Sequence, residues 1–237
     1  MDARVRNIQL ELLDKGYDLG RWGADGDMGP ATEVAAIAAI RASPRVSPLT
    51  GDTVAEVIER PSGFKIPAIW MPDAKMSRII WHWTAGSYNA SETDKEHYHM
   101  VIEGDDDVIK GEFSIKANER IMGEGTYAAH TLGTNTGSIG LSVCCMAGAT
   151  ESPYNPGKYP FKRSQLLQLV SITAQLCARY KIPVGRRTTL SHAEVQPTLG
   201  IQQRGKWDYT RLPFEPGIIG AVAVGDYIRN LVTAELG

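Results

Sequence analysis

Histidines are the residues of this chain whose type and position point most directly to chemistry. The sequence has five of them, His82, His97, His99, His130 and His192. His82 lies in an apolar segment that runs into a turn, and His192 ends another apolar segment. Two imidazoles at strand ends, with one acidic oxygen, would make a three-ligand zinc site whose open fourth position suits a hydrolytic water. A hydrogen-bonded structural role stays open for each histidine, because ligands so distant in sequence cannot be recognised by spacing.

The elements that would position these histidines begin near residue 69, where strand-like and helix-like segments alternate. Strand-like segments cover residues 77–83, 97–104, 108–113, 138–145 and 188–192. The clearest helix is 164–180, where apolar residues follow one stripe and Ser164 can cap the first turn. A long loop is expected from Ala193 to Asp208, and an apolar packing helix near the C-terminus. We therefore predict an α/β fold with a mixed central sheet flanked by helices.

The chain divides into three parts of different composition. Residues 1–43 predict a small N-terminal all-helical domain, since helical spacing of apolar residues is followed by a Gly/Asp-rich turn and an Ala/Ile-rich segment. Residues 44–68 contain four prolines and are interpreted as a linker. Residues 69–237 form the main domain, which carries all five histidines and ends in the C-terminal helix.

The overall composition limits the possible functions. The 237 residues are 43% hydrophobic and 22% charged, with a formal net charge of -2, as in ordinary globular proteins. Nucleic-acid binding is not expected, because the chain lacks a basic stripe. Stable membrane insertion is not expected either, since no segment approaches the roughly 20 apolar residues of a membrane span. The three cysteines, Cys144, Cys145 and Cys177, are interpreted as reduced and mostly buried.

The segment IIWHWTAG at residues 79–86 resembles the first motif of the type-2 N-acetylmuramoyl-L-alanine amidases. Their superfamily also includes peptidoglycan recognition proteins and amidase-type phage lysozymes. The resemblance continues through HYHMVIEGDDDVIKG, AAHTLGTNTGSIGLSV, the helix at 164–180 and LSHAEV, so that it spans about residues 75–214 in order. It implies the predicted mixed sheet and a hydrolase that uses one zinc ion.

The resemblance also implies the metal ligands. His82 and His192 match the family's two histidine ligands, and its third ligand is a Cys or Asp two residues after a Lys, which here gives Lys206 and Asp208. Asp208 could instead belong to a separate Trp-Asp pair in WDYTRL. No cysteine follows His192, and Asp226 is the only other later aspartate.

The same resemblance implies which residues are catalytic and which bind the substrate. Some family members place a glutamate base where this chain has Ser142, whereas others use a tyrosine before the second-strand histidine, which corresponds here to Tyr98 before His99. Tyr98 is therefore predicted to position or deprotonate the hydrolytic water, and Lys206 to stabilise the oxyanion. The groove that binds the muramyl-peptide is predicted to include Thr84, His130 and Asn135.

Glu194 and His97 are two further residues for which the sequence suggests a role. Glu194 follows His192 closely and is predicted to be a hydrogen-bond partner of a ligand imidazole. His97 matches no family role and is interpreted as a surface residue.

The N-terminal segment resembles the three-helix peptidoglycan-binding domains. The resemblance rests on IQLELLDKGYDLG, on the pattern DG-x-x-G-x-x-T that starts at Asp25, and on the Ala/Ile-rich segment after it. It implies a wall-binding module, with a small helical cap on the main domain as the alternative.

Together these features predict a zinc-dependent peptidoglycan hydrolase that cuts the amide between N-acetylmuramic acid and L-alanine. A monomeric phage or prophage endolysin is expected, because the N-terminus does not resemble a secretory signal. It would be made in the cytoplasm of the bacterial host and act on the wall in the periplasm after release. The alternatives are a non-catalytic peptidoglycan recognition protein, a wall-recycling amidase and a regulator that binds another protein.

Overall fold

The computed structural model describes residues 3–14, 19, 23–25, 32, 35 and 63–237. The chain divides into two compact units, Met1–Val57 and Ile58–Gly237. The first unit contains helix α1, Ala3–Asp14, whose Leu12 packs with Leu19 and Ala35. The other predicted helix boundaries of this module, and residues 44–62 of the predicted linker, lie outside the described residues.

A five-stranded sheet forms the centre of the second unit, and it confirms the predicted mixed sheet. Its strands are β1 Arg78–Trp83, β2 Met100–Ile102, β3 Val108–Lys110, β4 Ser138–Val143 and β5 Thr189–Ser191. Their spatial order is β3, β2, β4, β1, β5. Neighbouring strands are parallel except β2 and β3, which are antiparallel. The central β1 and β4 are almost wholly buried, as strands covered on both faces are.

Helices cover the sheet as predicted. They are α2 Glu92–His97, α3 Arg163–Tyr180, α4 His192–Leu199 and α5 Ala221–Leu236. Alternation along β1 assigns its side chains to two faces. Trp81 lies in the main core, where its indole N–H donates to Thr173 of α3 at 3.0 Å. Ile80 lies in a separate cluster with Leu190 of β5 and Val195 of α4.

Several predicted boundaries were wrong. Helix α3 begins at Arg163 after Lys162, so Ser164 is not its cap. The second and third strands are shorter than predicted, because His97 ends α2 and β3 ends at Lys110. The predicted loop after His192 begins instead with helix α4.

Two smaller expectations can be compared with the fold. Cys144, Cys145 and Cys177 are buried and unpaired, which confirms their interpretation. Among the described residues, no helix is both long enough and apolar enough to span a membrane.

Candidate metal centre and cleft

The parallel pairing of β1 with β5 brings the two predicted histidine ligands together. Trp81 is in register with Ser191, so the next residues, His82 and His192, lie side by side where the two strands end. Ser191 then caps α4, because its backbone N–H donates to the Glu194 carboxylate at 2.9 Å. His82 is fully buried and His192 is 5% exposed.

Asp208 reaches the same place from the loop after α4. Its two neighbours in the chain fix it there. The Trp207 ring packs edge-on against Trp83 with ring centroids 4.8 Å apart, and the centroid of the Tyr209 ring lies 5.4 Å from that of Trp83. The Tyr209 hydroxyl also donates to the backbone carbonyl of His82 at 2.9 Å. These contacts explain why the Asp208 carboxylate is directed at the imidazoles.

The three side chains present one ligand atom each to a common point. His82 Nδ1 lies 3.0 Å from His192 Nδ1, and Asp208 Oδ2 lies 3.6 Å and 3.3 Å from these two nitrogens. A tetrahedral ion with ligands at about 2.0–2.1 Å separates its ligand atoms by about 3.3 Å, so the spacing fits zinc. Within the described residues, this is the group of His, Cys, Asp and Glu side chains that could hold a metal ion.

Protonation also suits a metal. Burial lowers the pKa of His82 to about 4, although the Asp208 carboxylate opposes this. Burial alone would raise the pKa of Asp208, but the hydrogen bonds and positive charges that the His192 and His82 rings supply in their doubly protonated form outweigh it, and the pKa is lowered. At neutral pH, His82 is therefore neutral and Asp208 ionised, as metal ligands must be.

His130 lies against the candidate ligand His82 and also lines the cleft. Its Nδ1 is 3.2 Å from His82 Nε2 and 2.8 Å from the Thr131 hydroxyl. This close packing needs Gly140 of β4, because a Cβ there would lie 2.5 Å from the His130 ring. Sequence reasoning predicted a groove residue, and did not predict this contact.

A cleft of about 720 Å³ opens beside the three candidate ligands. All the predicted site residues except the fully buried His82 line it: Thr84, Tyr98, His130, Asn135, His192, Lys206 and Asp208. Lys206 is exposed at its edge, and its charge adds to burial in lowering the His82 pKa. His97, interpreted as a surface residue, is exposed and also lines the cleft.

The Tyr98 ring packs against the candidate ligand His82, with ring centroids 5.0 Å apart and the ring planes tilted by 40°. Burial, together with the Asp208 charge, raises the pKa of its phenol well above the usual value. The nearby Ser142 hydroxyl opposes this rise, although its Oγ has no hydrogen bond of good geometry to the described residues. Tyr98 therefore stays protonated at neutral pH and can donate a hydrogen bond into the cleft.

Glu194 does not have the predicted role. Its carboxylate pairs with Arg229 of α5 at 2.7 Å and accepts the Ser191 N–H, so it contacts neither imidazole. The hydrogen-bond partner of His192 is instead Gln203, whose Oε1 lies 2.9 Å from His192 Nε2. Sequence reasoning missed this residue, because nothing in its local pattern distinguishes it from the adjacent Gln202.

Two imidazoles and a carboxylate at one end of a parallel strand pair, beside an open cleft, are typical of metal-dependent hydrolases. Comparison with known proteins gives the family. The N-acetylmuramoyl-L-alanine amidase family matches residues 72–210, and this chain belongs to it. It is thus a member of a peptidoglycan amidase family, which confirms the superfamily that the sequence resembles; the match does not include the N-terminal segment.

Two similar solved structures come from Clostridium intestinale URNW. One is the endolysin N-acetylmuramoyl-L-alanine amidase LysCS, with 18% identity, a TM-score of 0.37, and coverage of 60% of this chain and 80% of that chain. The other is the N-acetylmuramoyl-L-alanine amidase LysC, with 18% identity, a TM-score of 0.36, and coverage of 60% and 82%. No curated protein matches the sequence.

Proposed function

We propose that this protein hydrolyses the amide bond between N-acetylmuramic acid and the L-alanine of the peptidoglycan stem peptide, using a zinc ion held by His82, His192 and Asp208. The observation that carries the proposal is the convergence of two Nδ1 atoms and one carboxylate oxygen, 3.0 to 3.6 Å apart, beside the cleft. A zinc ion bound there supplies a water of lowered pKa and polarises the scissile carbonyl.

The other residues of the cleft provide the remaining chemistry. Tyr98 donates its phenolic proton in a hydrogen bond to oxygen at the reacting centre, since its raised pKa keeps it protonated. Lys206 places a positive charge beside the oxyanion that develops during attack. Thr84, His130 and Asn135 contact the muramyl-peptide along the groove.

We also propose the biological setting that the sequence predicts. The protein is a monomeric phage or prophage endolysin that is made in the host cytoplasm and reaches the wall after release. Its N-terminal unit binds peptidoglycan and brings the amidase unit to its substrate.

The alternative is a non-catalytic recognition protein, which would lack a zinc ligand. The position of the Asp208 carboxylate beside both imidazoles favours the amidase instead. Zinc content and cleavage products distinguish the two. The purified wild-type protein is expected to hold about one zinc per chain, and mass spectra of digested sacculi to show stem peptides with a free L-alanine amine.

Variants make this test specific. Asp208→Ala is expected to lose zinc and activity, whereas Lys206→Ala keeps zinc and loses on the order of a hundredfold in rate. Asp107→Ala, an exposed aspartate between β2 and β3, is the matched control and should change neither. An Asp208→Ala protein with full zinc and activity would mean that Asp208 belongs to a separate Trp-Asp pair. Wild-type protein without zinc, and without activity when zinc is added, would contradict the proposed function.

A further inference from the structure

The buried amide of Gln203 lies on the side of the His192 ring that faces away from the other two ligands. Its Oε1 is 2.9 Å from His192 Nε2, and the residue is only 3% exposed. Gln202, the residue before it, is exposed. Gln203 therefore contacts the Nε2 side of His192, whereas the candidate metal-binding atom of this ring is Nδ1.

The orientation of this amide is fixed by its other contacts. Its Nε2 lies 2.9 Å from the Leu132 carbonyl and 3.3 Å from the Ile201 carbonyl. Two carbonyl oxygens can only receive hydrogen bonds, so the amide nitrogen must face them and Oε1 must face His192. The Gln203 backbone N–H also donates to the Gln196 side chain of α4 at 3.1 Å, which holds the loop against the helix that begins with His192.

An amide oxygen accepts hydrogen bonds and cannot donate them, so His192 must carry its proton on Nε2. Its Nδ1 then presents a lone pair towards His82 Nδ1 and Asp208. Ligand histidines commonly donate their second ring N–H to a neighbouring acceptor, which fixes the tautomer and the ring orientation. His82 lacks so definite a partner, because its Nε2 faces His130 and Thr131, which can both donate and accept.

We propose that Gln203 is a positioning residue that holds His192 as its Nε2–H tautomer and so presents Nδ1 to the metal. Through the Leu132 carbonyl, the same amide ties the metal centre to the wall of the cleft, of which Leu132 is part. The inference rests on the proposed zinc-dependent function, but it concerns the hydrogen bonding of the protein itself.

The test compares Gln203→Leu, Gln203→Glu and the matched control Gln202→Leu. The His192 tautomer is read from long-range nitrogen–proton NMR correlations of the metal-free proteins, and zinc affinity from competition with a chromophoric chelator. We expect Nε2–H in the wild type and a mixture of tautomers in Gln203→Leu, whose zinc affinity falls on the order of ten- to a hundredfold. Gln203→Glu keeps the acceptor but loses both donors, so its tautomer and zinc affinity stay near wild type while its melting temperature falls.

The proposal is overturned if metal-free wild-type protein carries the His192 proton on Nδ1. This measurement uses the wild-type protein alone, so it does not depend on whether a variant folds. It is also overturned if Gln203→Leu keeps the Nε2–H tautomer and binds zinc as tightly as Gln202→Leu. A purely structural role would lower the melting temperature of Gln203→Leu and leave the tautomer unchanged. If the wild type binds no zinc, the proposed function fails, whereas the NMR result still decides the role of Gln203.

Discussion

The protonation state of Tyr98 decides what this side chain contributes to the cleft. The sequence alone left open whether the phenol positions the hydrolytic water or removes its proton. Burial and the Asp208 charge raise its pKa, so the phenolate is not available at neutral pH and the protonated form remains. A hydrogen-bond donor that packs against His82 is then the role that its chemistry allows.

Tyr98→Phe tests this role because it removes only the hydroxyl and keeps the ring packing. Peptidoglycan hydrolysis is expected to fall on the order of a hundredfold, while zinc content and melting temperature stay near wild type. Tyr159→Phe, a change outside the residues that line the cleft, is the control and should leave the rate unchanged. A wild-type rate in Tyr98→Phe would remove this residue from the mechanism. Glu194 could not then take its place as base, because it is paired with Arg229.

Buried histidines should also make the stability of the metal-free protein depend on pH. Burial lowers the pKa of His99 from the usual 6.5 to about 4. The contacts fix the tautomer, since Nδ1 accepts the Gly140 N–H at 3.0 Å and Nε2 donates to Asn118 at 3.1 Å, a hydrogen bond that opposes the effect of burial on the pKa. Because the unfolded chain binds this proton more readily, the stabilisation is complete above about pH 6.5 and is lost as the pH falls towards 4.

Urea unfolding of metal-free protein between pH 7 and pH 4 measures this effect. The free energy of unfolding should fall steeply with acidification, at about 1.4 kcal/mol per pH unit for each such histidine. His82 and His130, whose pKa values are also lowered by burial, add to the slope. His99→Gln should reduce this slope by up to about 1.4 kcal/mol per pH unit, which corresponds to one proton. His97→Gln, a change at an exposed histidine, should leave the slope unchanged. An equal slope in His99→Gln would show that His99 does not titrate in this range.

At the scale of elements, a buried ion pair holds α4, and therefore His192, in place. Arg229 of α5 binds the Glu194 carboxylate at 2.7 Å and the Thr189 carbonyl of β5 at 2.8 Å. Side-chain exposure is 6% for Arg229 and 0% for Glu194, so removal of Arg229 leaves the buried Glu194 carboxylate without a positive partner. The ion pair thus joins β5, α4 and α5 around the start of α4.

Arg229→Met should consequently destabilise the protein by about 3–5 kcal/mol, as expected for the loss of one partner of a buried pair. Zinc occupancy should fall with it, because His192 is the first residue of the helix that the pair anchors. Arg179→Met is the control, since this exposed arginine pairs with Asp73 at the surface, away from Arg229, and should cost less than about 1 kcal/mol. Equal denaturation midpoints for the two variants would contradict the anchoring role.

The same elements show what the sequence could and could not reveal. Strand β1 was predictable because its apolar residues form one short continuous run, and helix α3 because its apolar residues follow the helix period. Helix α4 was missed although Ser191 and Glu194 have the spacing of a capping box, because Pro197 is unfavourable within a helix and the glutamate was assigned to an imidazole. The Gln203 contact could not be predicted, since it depends on how a loop returns to a distant strand.

At the scale of the whole molecule, the candidate centre exists only in the folded chain. His82 and His192 are 110 positions apart, and they become neighbours because parallel strands β1 and β5 end at the same edge of the sheet. All three candidate ligands and every residue that lines the cleft belong to the unit Ile58–Gly237. Within the described residues, the candidate centre and its cleft are therefore built from one unit.

Removal of the unit Met1–Val57 tests whether wall binding and hydrolysis belong to different units. If that unit binds the wall, it raises the effective concentration of the amidase unit at an insoluble substrate and does not affect a substrate that diffuses freely. The truncated protein should therefore bind sacculi less tightly and digest them more slowly, while it cleaves small soluble muropeptides at the full-length rate. Co-sedimentation with sacculi and the two hydrolysis assays measure these effects, and equal zinc content in the two proteins is the control for folding. An equal loss of activity on both substrates would show that the N-terminal unit is part of the catalytic fold, as the alternative of a helical cap implies.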